Sequence, residues 1–362
     1  MIKLSALLLS FLLAATCLAQ DYHFEQYRVE DGLPSDIVKA CIQDSLGYFW
    51  IATDDGLVKY DGIKFTTYRE PLHSGYTKGF IRLRNGRLFT YGDFDFVEVR
   101  NLGDTVIFRP ILFASRTPDD HTLSYPKSIY EDSRGDLWIS EPQSVVKLHG
   151  NYFKRFSFDM VNRSPQFLRS FTFFEDRQNN LVVTSFQGTV YYFDPTLDEF
   201  EKKEERLPFG IEHISVVNNQ LLIGCSTGFF ESPLLENGGF GPVIMRLGTP
   251  LVSFIAPMPN QKYFVATRGT KQFLVDAKGG PAESLPYEVN NVNHVYVSRD
   301  RDIWLSGNDG LILLKENLFH QASKVKSEFI EAITEDPGTG KIFYATMNTL
   351  YAFEKSGAKN TA

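Results

Sequence analysis

The sequence predicts an all-β chain assembled from repeated four-stranded antiparallel units, and three observations predict it. A pattern of about 42 residues recurs along the chain. The recurring segments are short, aromatic or β-branched, and bounded by Gly, Asn and Asp. The composition, 31 Phe, 17 Tyr and 3 Trp with 27 Gly and 17 Pro in 362 residues, favours strands and turns over helices. At 43% hydrophobic and 22% charged, the chain has the means to bury a sizeable core. A formal charge of -7 with no basic block excludes the electrostatic footprint of a nucleic-acid binder.

In chain order, the first element is a targeting segment. Lys3 supplies a short positive region, Leu4 to Thr16 carries no charge, and Cys17-Leu18-Ala19 precedes Gln20 as a small-residue cleavage site. Residues 1–19 therefore read as a signal peptide and residues 20–362 as one exported domain, periplasmic or secreted. The apolar run is too short to span a bilayer, and no later run approaches the ~18 to 20 residues a membrane helix needs. Ala14-Ala15-Thr16 fits a lipoprotein signal poorly, which argues against anchoring through Cys17.

The first complete repeat, Ile42 to Tyr68, reads as a turn at Asp44-Ser45-Leu46-Gly47, a strand carrying Trp50, a hairpin ending at Gly56, a third strand, a turn at Asp61-Gly62 and an outer strand. Ile129 to Phe156 repeats it from the Asp through the Trp to the final aromatic. With the Trp position as anchor, the units fall at Trp50, Phe89, Trp138, Val182, Leu222, Phe264, Trp304 and Phe343. Helical solenoids of similar period need helix-length apolar patterns at 3.6 spacing, which these short segments do not supply. A β-propeller of four-stranded antiparallel blades is the architecture that fits.

The last unit stops at Phe353-Glu354 without an outer strand, while Phe24-Glu25-Gln26-Tyr27 has the Phe-x-x-Tyr pattern of the outer strand Phe65-Thr66-Thr67-Tyr68. The expectation is a ring of eight blades closed by this N-terminal strand, with seven blades plus a surplus unit as the alternative. Closure would remove exposed sheet edges. The widest anchor spacing, between Phe89 and Trp138, predicts an elongated outer strand from Thr105 to Phe113 followed by a surface loop, or else a lid over one mouth of the ring. Glu199 to Arg206 (EFEKKEER) reads as a solvated outer-edge segment.

Chemistry-bearing residues form no catalytic motif. Seven histidines are scattered without a short ligand pair, so no metal site is expected, and no cofactor. Asp44, Asp132, Asp176 and Asp336 recur at turns, where a carboxylate accepts backbone N–H groups two residues on. Cys41 and Cys225, four units apart, read as buried strand residues and not a bridge. Binding is easier to place. The hairpins between second and third strands should ring one mouth of the central channel. Their tips give the candidate ligand-binding set Asp54, Asp55, Asp93, Phe94, Glu141, Gln143, Phe186, Gln187, Arg268, Asn308 and Asp309, with Ser226, Thr227 and Asn348 at the same position of other units. Polar side chains interleaved with Phe94 and Phe186 suit a sugar, which presents hydroxyls at its rim and apolar faces to aromatic rings. Asp93, Asp95 and Glu141 break the repeat and are the carboxylates a propeller lyase or hydrolase would use.

The segments RVEDGLPSDIV and QDSLGYFWIATDDGLVKYDGIKF resemble the two-component regulator propeller repeats of bacterial periplasmic sensor regions. The specific parts are Asp31-Gly32-Leu33-Pro34-Ser35, Trp50-Ile51-Ala52-Thr53 and Gly56-Leu57. The resemblance implies a non-enzymatic ligand-sensing propeller of a two-component pathway, many of which are tuned to oligosaccharides. Such sensors continue into further propeller units, a small β-sandwich, a membrane span and a kinase, and no segment here resembles those. The implied partners are an oligosaccharide or other small ligand and a separate membrane sensor kinase or a second copy of the chain. A secreted polysaccharide lyase or hydrolase and a protein-docking scaffold are the other classes this architecture allows.

Overall fold

The computed structural model describes residues 22–70, 72–113, 115, 121–158, 171–316, 331–338, 341–346 and 350–354. The expected signal peptide with its expected cleavage point, Cys17, Asn348 and most of the loop after Phe113 lie outside the described residues. The chain divides into two compact units, Gln20–Glu316 and the remainder.

The first unit is a propeller of seven four-stranded antiparallel blades. Blade one is Val38–Gln43, Phe49–Thr53, Gly56–Tyr60 and Phe65–Tyr68, in that order from the channel outward. Blades two to six follow the same consecutive order, beginning at Thr77, Ser128, Thr172, Ile211 and Val252. Blade seven takes His294–Val297, Ile303–Gly307 and Gly310–Glu316 from late in the chain and its outer strand from the N-terminus, Tyr22–Tyr27. That strand pairs along its whole length, from Tyr22 opposite Glu316 to Tyr27 opposite Leu311.

The expectation of eight blades is corrected to its alternative, seven with a surplus unit. The N-terminal strand does close the ring, but on the unit of Trp304 and not on that of Phe343. The reason is packing. Trp304, Leu311 and Leu313 of blade seven share one buried cluster with Leu33, Val38, Cys41 and Phe49 at the start of blade one, so no blade stands between them. The Phe343 repeat instead forms a three-stranded sheet, Ala332–Glu335, Lys341–Ala345 and Leu350–Glu354, within the second unit.

Core residues sit between blades. Strand alternation sends successive side chains to opposite faces, so each second strand feeds two interfaces. Trp50 packs toward blade two while Ile51 packs toward blade seven. Trp138 faces blade four and Ile139 blade two. Leu222 and Ile223, Phe264 and Val265, and Trp304 and Leu305 divide in the same sense. The seven anchors of the ring thus occupy its seven interfaces, and burial of each large one contributes about 2 to 3 kcal/mol. Cys41 and Cys225 are buried free thiols on strands, as expected. The elongated outer strand of blade two is Val106–Phe113, and EFEKKEER is the exposed outer strand of blade four.

Candidate functional site at the channel mouth

Two kinds of segment meet at one end of the ring, the hairpins between second and third strands and the connections that lead from each outer strand to the next inner strand. Backbone bonds lock them together, as from Gly310 N–H to Asp36 O at 2.7 Å and from Ser226 N–H to Gly210 O at 2.9 Å. Gly310 and Gly56 carry positive φ, 102° and 122°, and a Cβ at Gly310 would lie 2.2 Å from Tyr27 O, so neither hairpin tolerates a side chain there.

Below this rim the inner strands bulge. In blades one, two, five and six the register slips at Lys39, Lys78, Glu212 and Ser253. A bulge re-aims the extra residue, and here it sends Lys39 and Lys78 to the hairpin tips. Lys39 Nζ lies 3.1 Å from Asp54 and 5.3 Å above the centre of the Tyr76 ring. Lys78 Nζ pairs with Asp93 and donates to Pro126 O at 2.8 Å, reaching the start of blade three beside Lys127. Phe94 and Tyr125 hold their rings 5.8 Å apart in the same sector. Burial lowers the Lys78 amine, and burial together with the Lys78 charge pulls Lys127 down to about 8.

The other side of the mouth is a closed polar network. Arg268 reaches Glu212 at 3.3 Å and Asn293 at 3.1 Å. Asn293 in turn donates to Val38 O at 2.9 Å and to Asn308 at 3.3 Å. One step deeper, His213, Phe254 and His294 occupy matching register positions on blades five to seven and pack in a row, tilted and then edge-to-face, with centroids 4.1 and 4.7 Å apart. Burial drives His213 down to about 3 and His294 to about 4, so both imidazoles are neutral at physiological pH.

The structure brings some of the eleven sequence candidates together and disperses others. Asp54, Asp93 and Phe94 share the lysine sector, and Arg268 and Asn308 meet through Asn293. Asp55 turns outward to a two-point pair with Arg69 at 2.7 and 3.1 Å. Glu141 is wholly buried, taking Arg155 at 2.8 and 3.1 Å, the Ser144 hydroxyl, and the Ser124 N–H, so it ties blade three to the connection leading into it and presents nothing to a ligand. Phe186 is buried against Phe209 at 5.3 Å, with Gln187 beside it half-buried. Gln143 is exposed and accepts the Phe158 N–H, and the Asp309 carbonyl accepts from Gln26 of the N-terminal strand. Lys39, Tyr76, Lys78, Tyr125, Lys127, Glu212 and Asn293 escaped sequence reading. For four of these seven a signal was available, since Lys39, Lys78, Lys127 and Asn293 each stand eleven residues before a repeat anchor.

No protein-family model matches the chain, and no curated protein does. Solved structures share its fold. One, described as the extracellular domain of the hybrid two component system BT3049 from B. thetaiotaomicron, superposes with a TM-score of 0.65 at 16% identity over 92% of this chain and 48% of the other. A second, from the BT4673 system of the same organism, gives 0.63 at 14% over 92% and 46%. The chain thus spans about half the length of those sensor domains. An inactive virginiamycin B lyase from Staphylococcus aureus gives 0.60 at 13% over 81% and 99%. These likenesses show the fold, a β-propeller, which extracellular domains of two component systems share with a lyase. Among the described residues no helix is long and apolar enough to cross a membrane.

Proposed function

We propose that this chain is the ligand-binding sensor part of a bacterial two-component signalling system, exported to the periplasm, and that its channel mouth binds an oligosaccharide without turning it over. The observation that carries the reading is the mouth sector of blades one to three, where ammonium and carboxylate groups alternate with the rings of Tyr76, Phe94 and Tyr125. Rings offer flat apolar faces to a pyranose, and the charged groups offer donors and acceptors to its hydroxyls. Fold likeness to extracellular domains of two-component sensors supports the same reading. So does the state of the mouth carboxylates, since Asp54, Asp55 and Asp93 are each tied to a cation. Output would pass to a membrane sensor kinase.

The test is thermal unfolding of the protein with a panel of neutral and acidic oligosaccharides. A sugar bound at one hundred times its Kd stabilises the native state by about 2.7 kcal/mol, which raises the melting temperature by a few degrees. Phe94→Ala should abolish that rise while leaving the melting temperature of the free protein unchanged. A panel that moves nothing, or a polysaccharide that is cleaved, overturns the reading.

A further inference from the structure

Three lysines from three successive blades converge on one sector of the mouth, and their charges are unequally matched. Lys39 has Asp54 at 3.1 Å, and Lys78 has Asp93 together with the Pro126 carbonyl. Lys127 is half-buried beside Lys78, yet among the described residues no carboxylate lies in ion-pair range of its amine. A half-buried ammonium next to a second cation is a costly arrangement, and burial and repulsion already depress its proton affinity. Its backbone is fully used, with its N–H bound to Ser140 O and its carbonyl facing the Tyr91 hydroxyl, so the side chain alone remains to be satisfied. The Phe94–Tyr125 ring pair borders this sector, Tyr125 being two residues before Lys127 and Phe94 adjoining Asp93.

Resting on the sensor reading above, we propose that this sector is an anion subsite: Lys127, flanked by Lys78, binds the carboxylate or sulfate of an acidic sugar whose ring lies against Phe94 and Tyr125. Asp93, already paired with Lys78, is also the carboxylate whose charge reaches Lys127, so the sector holds three ammonium groups and two carboxylates; the anion supplies the third negative charge, and it gains most where the cation is least hydrated. Asp54 and Asp93 hold Lys39 and Lys78 in place and neutralise them, which leaves the sector one unmatched positive charge for one anionic group of the sugar.

The test compares tri-galacturonate, its fully methyl-esterified form and a sulfated disaccharide by calorimetric titration against the wild-type protein, Lys127→Ala and Lys127→Arg. The ester removes the charge and keeps the sugar. The expected result is that tri-galacturonate or the sulfated sugar binds at least tenfold more tightly than the ester, that Lys127→Ala erases the difference, and that Lys127→Arg retains it, with the two acidic probes reporting whether carboxylate or sulfate is preferred. Equal affinity for acid and ester, or a preference that survives Lys127→Ala, overturns the anion subsite and leaves the sugar-binding reading standing. Binding of neutral sugars with no binding of either acidic probe does the same. Absence of binding by every sugar in both panels overturns both. Melting temperatures of the free variants within two degrees or so of wild type, about 1 kcal/mol, show that the comparison reads binding and not folding.

Discussion

Within a repeat, the turn Asp and the Trp six residues later work as one device. Asp44 accepts the N–H groups of Leu46 and Tyr48 on one oxygen and the Trp50 indole, at 2.9 Å, on the other. Asp132 does the same for Arg134, Asp136 and Trp138. Where the anchor is Val182, the Asn180 amide takes the oxygen the indole would have used. Blades two and six place Leu83 with Phe89 and Met258 with Phe264, dropping carboxylate and indole together. Blade seven alone is mismatched: Ser298 stands at the Asp position, and the Trp304 indole N–H is buried with no acceptor among the described residues. Trp138→Phe strands part of a buried carboxylate, whereas Trp304→Phe removes a donor that was unsatisfied already. The first should cost about 2 kcal/mol more than the second, read from urea unfolding midpoints, and equal costs would mean the indole bond contributes nothing. The sequence made the turn role of these aspartates legible because a contact two residues on is local. The indole partnership was not, because it requires the second strand to fold back over the turn.

At the level of single strands, the hairpin tips were legible and the inner-strand contribution to the mouth was not. Strict alternation assigns one face to each residue, and a bulge breaks that rule at Lys39 and Lys78. Reading only hairpins also overvalued Glu141, whose carboxylate faces Arg155 and Ser144 of its own blade and the Ser124 N–H of the connection that leads into it. Glu141→Gln should therefore lower stability by about 2 kcal/mol or more and leave sugar affinity, measured by titration, where it was. The inner strands of blades five to seven carry a second consequence. His213 and His294, facing one another across Phe254, have folded pKa values of about 3 and about 4, below the ~6.5 of an unfolded histidine. Between those limits the unfolded chain binds protons that the native chain refuses, so stability is full above about pH 6.5 and falls as pH drops toward 4, by about 1.4 kcal/mol per pH unit per histidine. Carboxylates such as Glu98, held to about 2 by Arg87 and Arg100, lose their contribution only below about pH 4. A His213→Gln/His294→Gln double variant should flatten the slope of unfolding free energy between pH 6.5 and 4.5, and a slope that persists would place its origin elsewhere.

For the molecule as a whole, the repeat count was legible and the ring size was not. Phe24 to Tyr27 carries the Phe-x-x-Tyr pattern of the outer strand of blade one, a pattern that marks an outer strand without saying which blade it completes. Tertiary contacts make the choice. Tyr27 stacks on Trp304 at 6.1 Å and meets Tyr60 and Phe65 of blade one at 5.7 and 5.6 Å, while Phe24 packs on Tyr287 at 5.0 Å and the Tyr287 hydroxyl donates to Tyr22 O. One six-residue strand therefore joins the two ends of the ring, and its loss would expose the third strand of blade seven, Gly310–Glu316, as a raw edge along which another chain can pair. Because the blades of a closed ring support one another on both sides, the damage should not stay local. A chain beginning at Arg28 should unfold several kcal/mol more easily than one beginning at Gln20 and should associate in size-exclusion chromatography. A synthetic peptide of residues 20–28 added in trans should restore both the monomer and most of the lost stability, since it reinstates the same six-pair register. A truncated chain that stays monomeric and as stable as the parent would mean that the interface of blades seven and one, with Trp304, Leu311 and Val38 at its centre, closes the ring by itself.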